Sequence, residues 1–298
     1  AQATPLLPIE IDGVRVHAKA DVLQPIGAFK IRGAWHRLTD LTSEEAKAGV
    51  IAVSSGNHAQ GVAWAARELG IDAAIVMPAD APKVKLAATR ALGAEVITYD
   101  RAGGEDRDAI ANALCEERGR VLVHAYADPW VIEGQGSMGI EIAAQLGREP
   151  SRIVVCCGGG GLAAGLALAC PNAAIHPVEP DGWDDMALSL QRGEIVRVCP
   201  NPPKTICDAI QTPSTAPVNF AVINGRAAPG VAVTDDEVRT AQRFAFDRLH
   251  LVVEPGGAAA LAAALAGKVP LDEDTVITLT GGNTDADQFA AMLQQTII

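Results

Sequence analysis

Short apolar runs alternate with longer, alanine-rich amphipathic stretches along almost the whole chain. The first cycle reads GVIAVSS (49–55), NHAQGVAWAAREL (57–69), DAAIVMP (72–78), VKLAATRAL (84–92) and AEVITYD (94–100). Apolar runs bounded by polar turns predict strands, and the longer periodic stretches predict helices. The resulting βαβαβ order implies a parallel sheet wrapped by helices. A helical stretch at 105–118 and the run VLVHAY (121–126) continue it. The theme returns with RIVVCC (152–157), a glycine run, an alanine-rich helix and AAIHPVE (173–179). DDEVRTAQRFAFDRL (235–249) predicts an amphipathic helix capped by Thr234 or Asp235. GGAAALAAALAG (256–267), TVITLT (275–280) and a C-terminal helix complete the order, and the Pro-rich stretch 199–218 predicts a surface loop. The expected fold is α/β, with two open-sheet lobes and a ligand cleft where the sheets end.

Composition narrows the function classes. At 298 residues, 49% hydrophobic and 20% charged, the chain suits one large globular domain or two ordinary ones. A formal charge of −12 argues against nucleic acid or an anionic membrane as the main partner. There is no run of apolar residues long enough to span a bilayer, and AQATPLLPIEIDG lacks the features of a signal peptide. The cysteines at 115, 156, 157, 170, 199 and 207 include no CxxC pair, which points to a reducing cytoplasm rather than a disulfide framework.

Four glycines, Gly158 to Gly161, separate an apolar strand from a helix in CCGGGGLAAGLALA. A backbone without Cβ atoms can turn sharply there and offer several N–H groups, assisted by the helix N-terminus, to one anion such as a phosphate. Gly158, Gly160 and Ala163 also fit G-x-G-x-x-A, with Glu179 at the distance of a ribose-binding acid, so a nicotinamide oxidoreductase is a rival reading. Lys30, in DVLQPIGAFKIRGAWHRL, is flanked by Phe29 and Ile31; such a lysine is either a solvated charge or an amine nucleophile. At 53–66 a strand-to-helix junction gathers Ser54, Ser55, Gly56, Asn57 and His58, a set suited to a carboxylate, although one serine cap would explain part of it. TLTGGNTD (278–285) ends another strand in a polar turn at Thr280.

Together these segments resemble the fold-type II pyridoxal 5'-phosphate (PLP) enzymes, specifically the threonine/serine dehydratase and serine racemase family. The resemblance rests on QPIGAFKIRGA, SSGNHAQG, GGGGL and LTGGN in that order, with VIEGQGSMGIEI (131–142), VEP (178–180) and VVEPGGAA (252–259) alongside. It implies a fold with PLP in the cleft between a large domain (1–30 and 129–298) and a small one (31–128). It also implies β-elimination of water from a small hydroxy-amino acid of the L-threonine or L-serine type, giving a 2-oxo acid and ammonia. Lys30 would hold PLP covalently and act as the base, and Phe29 would pack beside the ring. Asn57 would bond the 3'-oxygen, and Gly158, Gly159, Gly160, Gly161 and Leu162 would bind the phosphate. Thr280 would face the pyridine nitrogen, and Ser54, Ser55, Asn57 and His58 would surround the substrate carboxylate. Ser55 would be a second acid/base, as in the racemases. Glu179, Trp183 and Asp185 would hold Mg²⁺ or Ca²⁺, with Trp183 acting through its carbonyl.

The sequence departs from the family pattern at several points. Thr280 stands where a serine is usual, Ile26 and Ala28 replace the hydroxyls of the lysine motif, and CDAIQTP (207–213) is unusual, which leaves substrate preference open. The chain ends soon after the pyridine motif, so no regulatory domain is expected. The family suggests a homodimer or homotetramer. The nearest alternatives are serine racemase and 3-hydroxyaspartate dehydratase; a non-catalytic PLP or amino-acid binding protein would most simply have lost Lys30.

Overall fold

The computed structural model describes residues 1–81 and 83–294. In chain order the elements are β1 (Leu6–Ile11), β2 (Val14–Ala20), α1 (Lys30–Thr39), α2 (Ser43–Ala48), β3 (Val50–Val53), α3 (Asn57–Leu69), β4 (Ala73–Pro78), α4 (Lys83–Ala91), β5 (Glu95–Tyr99), α5 (Arg107–Arg118) and β6 (Val121–Leu122). They continue with α6 (Pro129–Leu146), β7 (Arg152–Cys156), α7 (Gly161–Ala169), β8 (Ala174–Pro180), α8 (Asp185–Arg192), α9 (Pro217–Ile223), β9 (Val231–Val233), α10 (Asp235–Phe244), α11 (Pro255–Leu265), β10 (Thr275–Leu279) and α12 (Ala286–Gln294). The chain divides into two compact units, one of Ala1 and Lys30–Gly134, the other of Gln2–Phe29 and Gln135–Ile298.

In the first unit four parallel strands lie in the order β5-β4-β3-β6. Their apolar runs are continuous because both faces are covered. Val50, Ala52, Ile75 and Met77 point to one side, where they meet Ala34 and Leu38 of α1 and Ala59, Val62 and Ala63 of α3. The alternate residues Ile51, Ala74 and Val76 meet Ala111 of α5 on the other. VLVHAY forms only the short β6 and then a loop, although the Val123 N–H still bonds Ile51 O at 2.8 Å.

The second unit holds six strands in the order β1-β2-β10-β7-β8-β9, parallel except for β1 against β2. That hairpin turns at Asp12 (φ 49°) and Gly13 (φ 78°), the two positive φ values of a type I′ turn. Against this sheet packs α11, whose Ala258 to Ala264 are all fully buried. Its small residues permit close approach: a Cβ on Gly257 would lie 2.5 Å from Gly281 O. The amphipathic segment 235–249 is capped by Thr234 in a reciprocal box with Glu237, then closes in a single π-helical turn at Ala245–Leu249.

Candidate active site

The residues that precede Lys30 in the chain belong to the second unit. Residues 26–29 lie along 280–283: Ala28 and Gly281 form an antiparallel bridge, Phe29 N–H donates to Thr280 O at 2.9 Å, and Gly282 N–H to Gly27 O at 2.9 Å. Asn283 Nδ2 donates to Ile26 O at 2.8 Å, and a Cβ on Gly27 (φ 69°) would lie 2.8 Å from Asn283 Oδ1. Glycine is required here by both backbone and space. The lysine motif and the TGGN motif are therefore one hydrogen-bonded strip, and Phe29 and Thr280 are joined through their backbones.

Lys30 opens α1 in the first unit, where its Nζ donates to Ala125 O at 2.8 Å. Helix α3 packs close beside it, since a Cβ on Gly61 would lie 3.2 Å from the Lys30 carbonyl. Two imidazoles share this neighbourhood. His58 is buried, with Nε2 2.8 Å from Val123 O; the carbonyl accepts, so Nε2 carries the proton. Burial, and then the Lys30 charge, push the His58 pKa down to about 3, so it is neutral. His124 accepts at Nδ1 from the Tyr126 and Ala127 N–H groups, and burial is the main cause of its lowered pKa. Ser54, Ser55, Gly56 and Asn57 form the half-buried turn from β3 into α3, with Ser54 Oγ accepting from Gly56 N–H at 3.1 Å. A helix N-terminus with adjacent hydroxyls suits a carboxylate.

In the second unit, β10, β7 and β8 are adjacent and parallel, so Thr280, Gly158 and Glu179 stand at or just beyond the same ends of three neighbouring strands. Ligands of open α/β sheets bind at such ends. Gly160 takes φ 90°, and α7 begins at Gly161, leaving its first amides without intrahelical partners. The loop is backed closely: a Cβ on Gly158 would meet Thr212 Oγ1 at 2.9 Å, and one on Gly160 would meet Met186 Cε at 2.7 Å. Thr280 is buried with Oγ1 2.9 Å from Cys156 Sγ. A side-chain-free cradle of backbone amides and a neutral hydroxyl fit the phosphate and pyridine ends of PLP.

Glu179 is fully buried, and its two carboxylate oxygens accept the Met186 and Ala187 N–H groups at 3.0 and 2.9 Å. Its pKa is pushed well up by burial and then by Asp185. Committed to the α8 amides, it is not offered to a ribose. Asp185 Oδ2 accepts Thr215 N–H at 2.7 Å while its buried Oδ1 has no hydrogen-bond partner among the described residues, and burial raises its pKa to about 7. The Trp183 indole donates to Pro203 O at 2.8 Å. No group of three or more His, Cys, Asp or Glu suited to a metal occurs among the described residues.

The motifs thus carry the backbone of the site, but several contacts lie outside them. The Ala125 carbonyl, His124, Cys156, Thr215 and Asn219 were not singled out by any pattern, because each acts through a fold-dependent contact. Asn283 sits inside the quoted LTGGN motif, and its side-chain role shows only in the strip described above.

Residues 1–281 match the family described as pyridoxal-phosphate dependent enzyme, and the chain belongs to it. Within that family it is 40% identical over 287 residues to an L-threo-3-hydroxyaspartate ammonia-lyase from Pseudomonas sp, covering 95% of this chain and 89% of the relative. It is 36% identical over 293 residues to an L-threonine ammonia-lyase from Thermotoga maritima, covering 97% and 72%. The structure of maize serine racemase superposes with a TM-score of 0.90 at 34% identity, covering 97% of this chain and 91% of that one. The fold is therefore that of the fold-type II PLP enzymes, and the nicotinamide reading gains no support.

Proposed function

We propose that this chain is a PLP-dependent dehydratase, or ammonia-lyase, that eliminates water from a small β-hydroxy-amino acid of the L-threonine or L-serine type to give a 2-oxo acid and ammonia. The observation that carries the reading is Lys30: an amine held on the Ala125 carbonyl beside two histidines of lowered pKa, at the end of a strip pinned to Thr280. The names of the relatives support the reaction class. The proposed cofactor-binding residues are Lys30, Asn57 and the serine turn in the first unit, and Phe29, Gly158 to Leu162 and Thr280 in the second. PLP supplies an electron sink for the electrons of a broken substrate bond.

The residues of this chain do the rest. The Lys30 amine anchors the cofactor and, once exchanged for the substrate amine, accepts the Cα proton. Ser54, Ser55 and Asn57 with the α3 amides orient the substrate carboxylate. A neutral His58 adds no charge there and acts by holding α3 to Val123. The Thr280 hydroxyl is neutral, so it does not fix a proton on the pyridine nitrogen as a carboxylate would, which favours expulsion of the β-hydroxyl. Ser55 is the proposed proton carrier for the opposite face of Cα. Ser55→Ala should then remove racemisation while leaving measurable elimination; unchanged production of D-serine from L-serine would refute that role.

We extend the proposal to a Mg²⁺ or Ca²⁺ ion between Glu179 and Asp185 with the Trp183 carbonyl. The charge of Asp185, which helps raise the Glu179 pKa, and the Asp185 Oδ1, unpartnered among the described residues, support it. Either ion should raise the melting temperature of the wild type but not of Asp185→Asn; equal shifts would remove it. The thiols at all six cysteines are consistent with a reducing cytoplasm. Among the described residues no helix is long and apolar enough to cross a membrane, and the net charge of −12 disfavours nucleic acid. The proposed assembly is a homodimer or homotetramer, which sedimentation would test. Whether keto acid forms faster from threonine, serine or 3-hydroxyaspartate ranks the substrates.

A further inference from the structure

The glycine loop is gripped from behind by two side chains that no motif marked. Gly159 O accepts from Thr215 Oγ1 at 3.1 Å and from Asn219 Nδ2 at 2.5 Å. Both residues are almost wholly buried, Asn219 at 0% and Thr215 at 3% exposure. Thr215 lies just before α9 and Asn219 in its first turn. Thr215 is itself held, since its N–H donates to Asp185 Oδ2 at 2.7 Å. The Asn219 Oδ1 has no hydrogen-bond partner among the described residues, so the side chain meets the loop through its amide donor.

A peptide carbonyl and the following N–H point in opposite directions across the planar trans bond. With the Gly159 carbonyl drawn toward Thr215 and Asn219, the Gly160 N–H of the same peptide points away from those two side chains. Gly160 then turns at φ 90° into α7, and the unpartnered amides of that helix follow. Two donors on one carbonyl also polarise the peptide, strengthening its N–H as a donor.

We propose that Thr215 and Asn219 are positioning residues that fix the Gly159–Gly160 peptide so that the Gly160 N–H faces a phosphate monoester. This rests on the reading that the glycine loop takes the PLP phosphate, and it deepens that reading. The two residues act on the phosphate alone and not on the covalent anchor at Lys30.

The test compares PLP with pyridoxal, which carries the same aldehyde but no phosphate, in equilibrium binding to cofactor-free protein followed by absorbance. The wild type should bind PLP far more tightly than pyridoxal. Thr215→Val, nearly isosteric but without the donor, should weaken PLP about tenfold, equivalent to one lost hydrogen bond to a polarised group. Pyridoxal binding should not change, and Thr215→Ser should restore PLP affinity. Asn219→Asp, which replaces the donor with an acceptor, should act in the same direction; if it fails to fold by circular dichroism, the Thr215 pair decides alone. PLP and pyridoxal weakening together, or neither weakening, would overturn the proposal. A wild type that does not distinguish PLP from pyridoxal would instead bring down the loop reading and this inference with it.

Discussion

Gly160 and His58 show how single residues set local conformation and charge, one in each unit. Gly160 holds φ 90° at the tightest point of the loop, and a Cβ there would meet Met186 Cε at 2.7 Å. An L-residue in this backbone region costs about 1–2 kcal/mol before any clash is counted. Gly160→Ala should therefore lower thermal stability by about that amount and weaken PLP retention, measured by melting with and without cofactor. In the other unit His58 is neutral. Unfolded it would titrate near 6.5 and folded near 3, so between those values the unfolded chain binds more protons. The stabilisation is complete above about pH 6.5 and is lost as pH falls toward about 3, in total on the order of 4 kcal/mol. The urea midpoint should fall between pH 7 and pH 4.5, and His58→Gln should flatten that slope; an equally steep slope in the variant would show that another group carries it.

At the scale of elements, the parts with a strong local pattern were the legible ones. The helix 57–69 and the strands of the first unit follow directly from apolar runs and polar turns, because a sheet covered on both faces leaves no doubt about its strands. The β1–β2 hairpin carries a signal as well, an Asp-Gly pair between alternating residues, but the wider βαβ rhythm begins only after residue 48 and does not mark residues 1–20 as strands. The acidic stretch EPDGWDD reads as a loop, yet α8 starts at its last residue, because the Glu179 carboxylate, brought to the helix by folding, accepts the Met186 and Ala187 amides of its first turn. Lys30 and the glycine loop were visible as residue types, whereas the Ala125, Thr215 and Asn219 contacts depend on long-range packing that no local spacing encodes. Packing also makes α11 intolerant. Gly257→Ala would push a methyl to 2.5 Å from Gly281 O, in the strip that holds residues 26–29. Overpacking of this kind costs about 1–3 kcal/mol. Lower thermal stability and a shifted cofactor absorbance band are expected together; an unchanged band would separate α11 from the lysine strip.

At the scale of the whole molecule, each unit has its own sheet and its own apolar core, and the chain crosses from one to the other between Phe29 and Lys30. Lys30, the proposed covalent anchor, belongs to one unit, and residues 26–29 belong to the other. The chain carries a formal charge of −12, so an anionic cofactor gains nothing from the overall field and depends on local donors. That is consistent with a loop of backbone amides rather than a cluster of arginines at Gly158 to Leu162. The family follows from the match over residues 1–281, and the proposed reaction rests on the roles proposed above for Lys30 and Thr280. The most direct test is the visible absorbance of the purified protein, wild type and Lys30→Ala, before and after borohydride and then with L-serine and L-threonine. The wild type should show a yellow band that borohydride fixes onto Lys30, and should release keto acid from one or both substrates, while Lys30→Ala does neither. Keto acid formed at the wild-type rate by Lys30→Ala, or a wild type that takes up no PLP, would contradict the account.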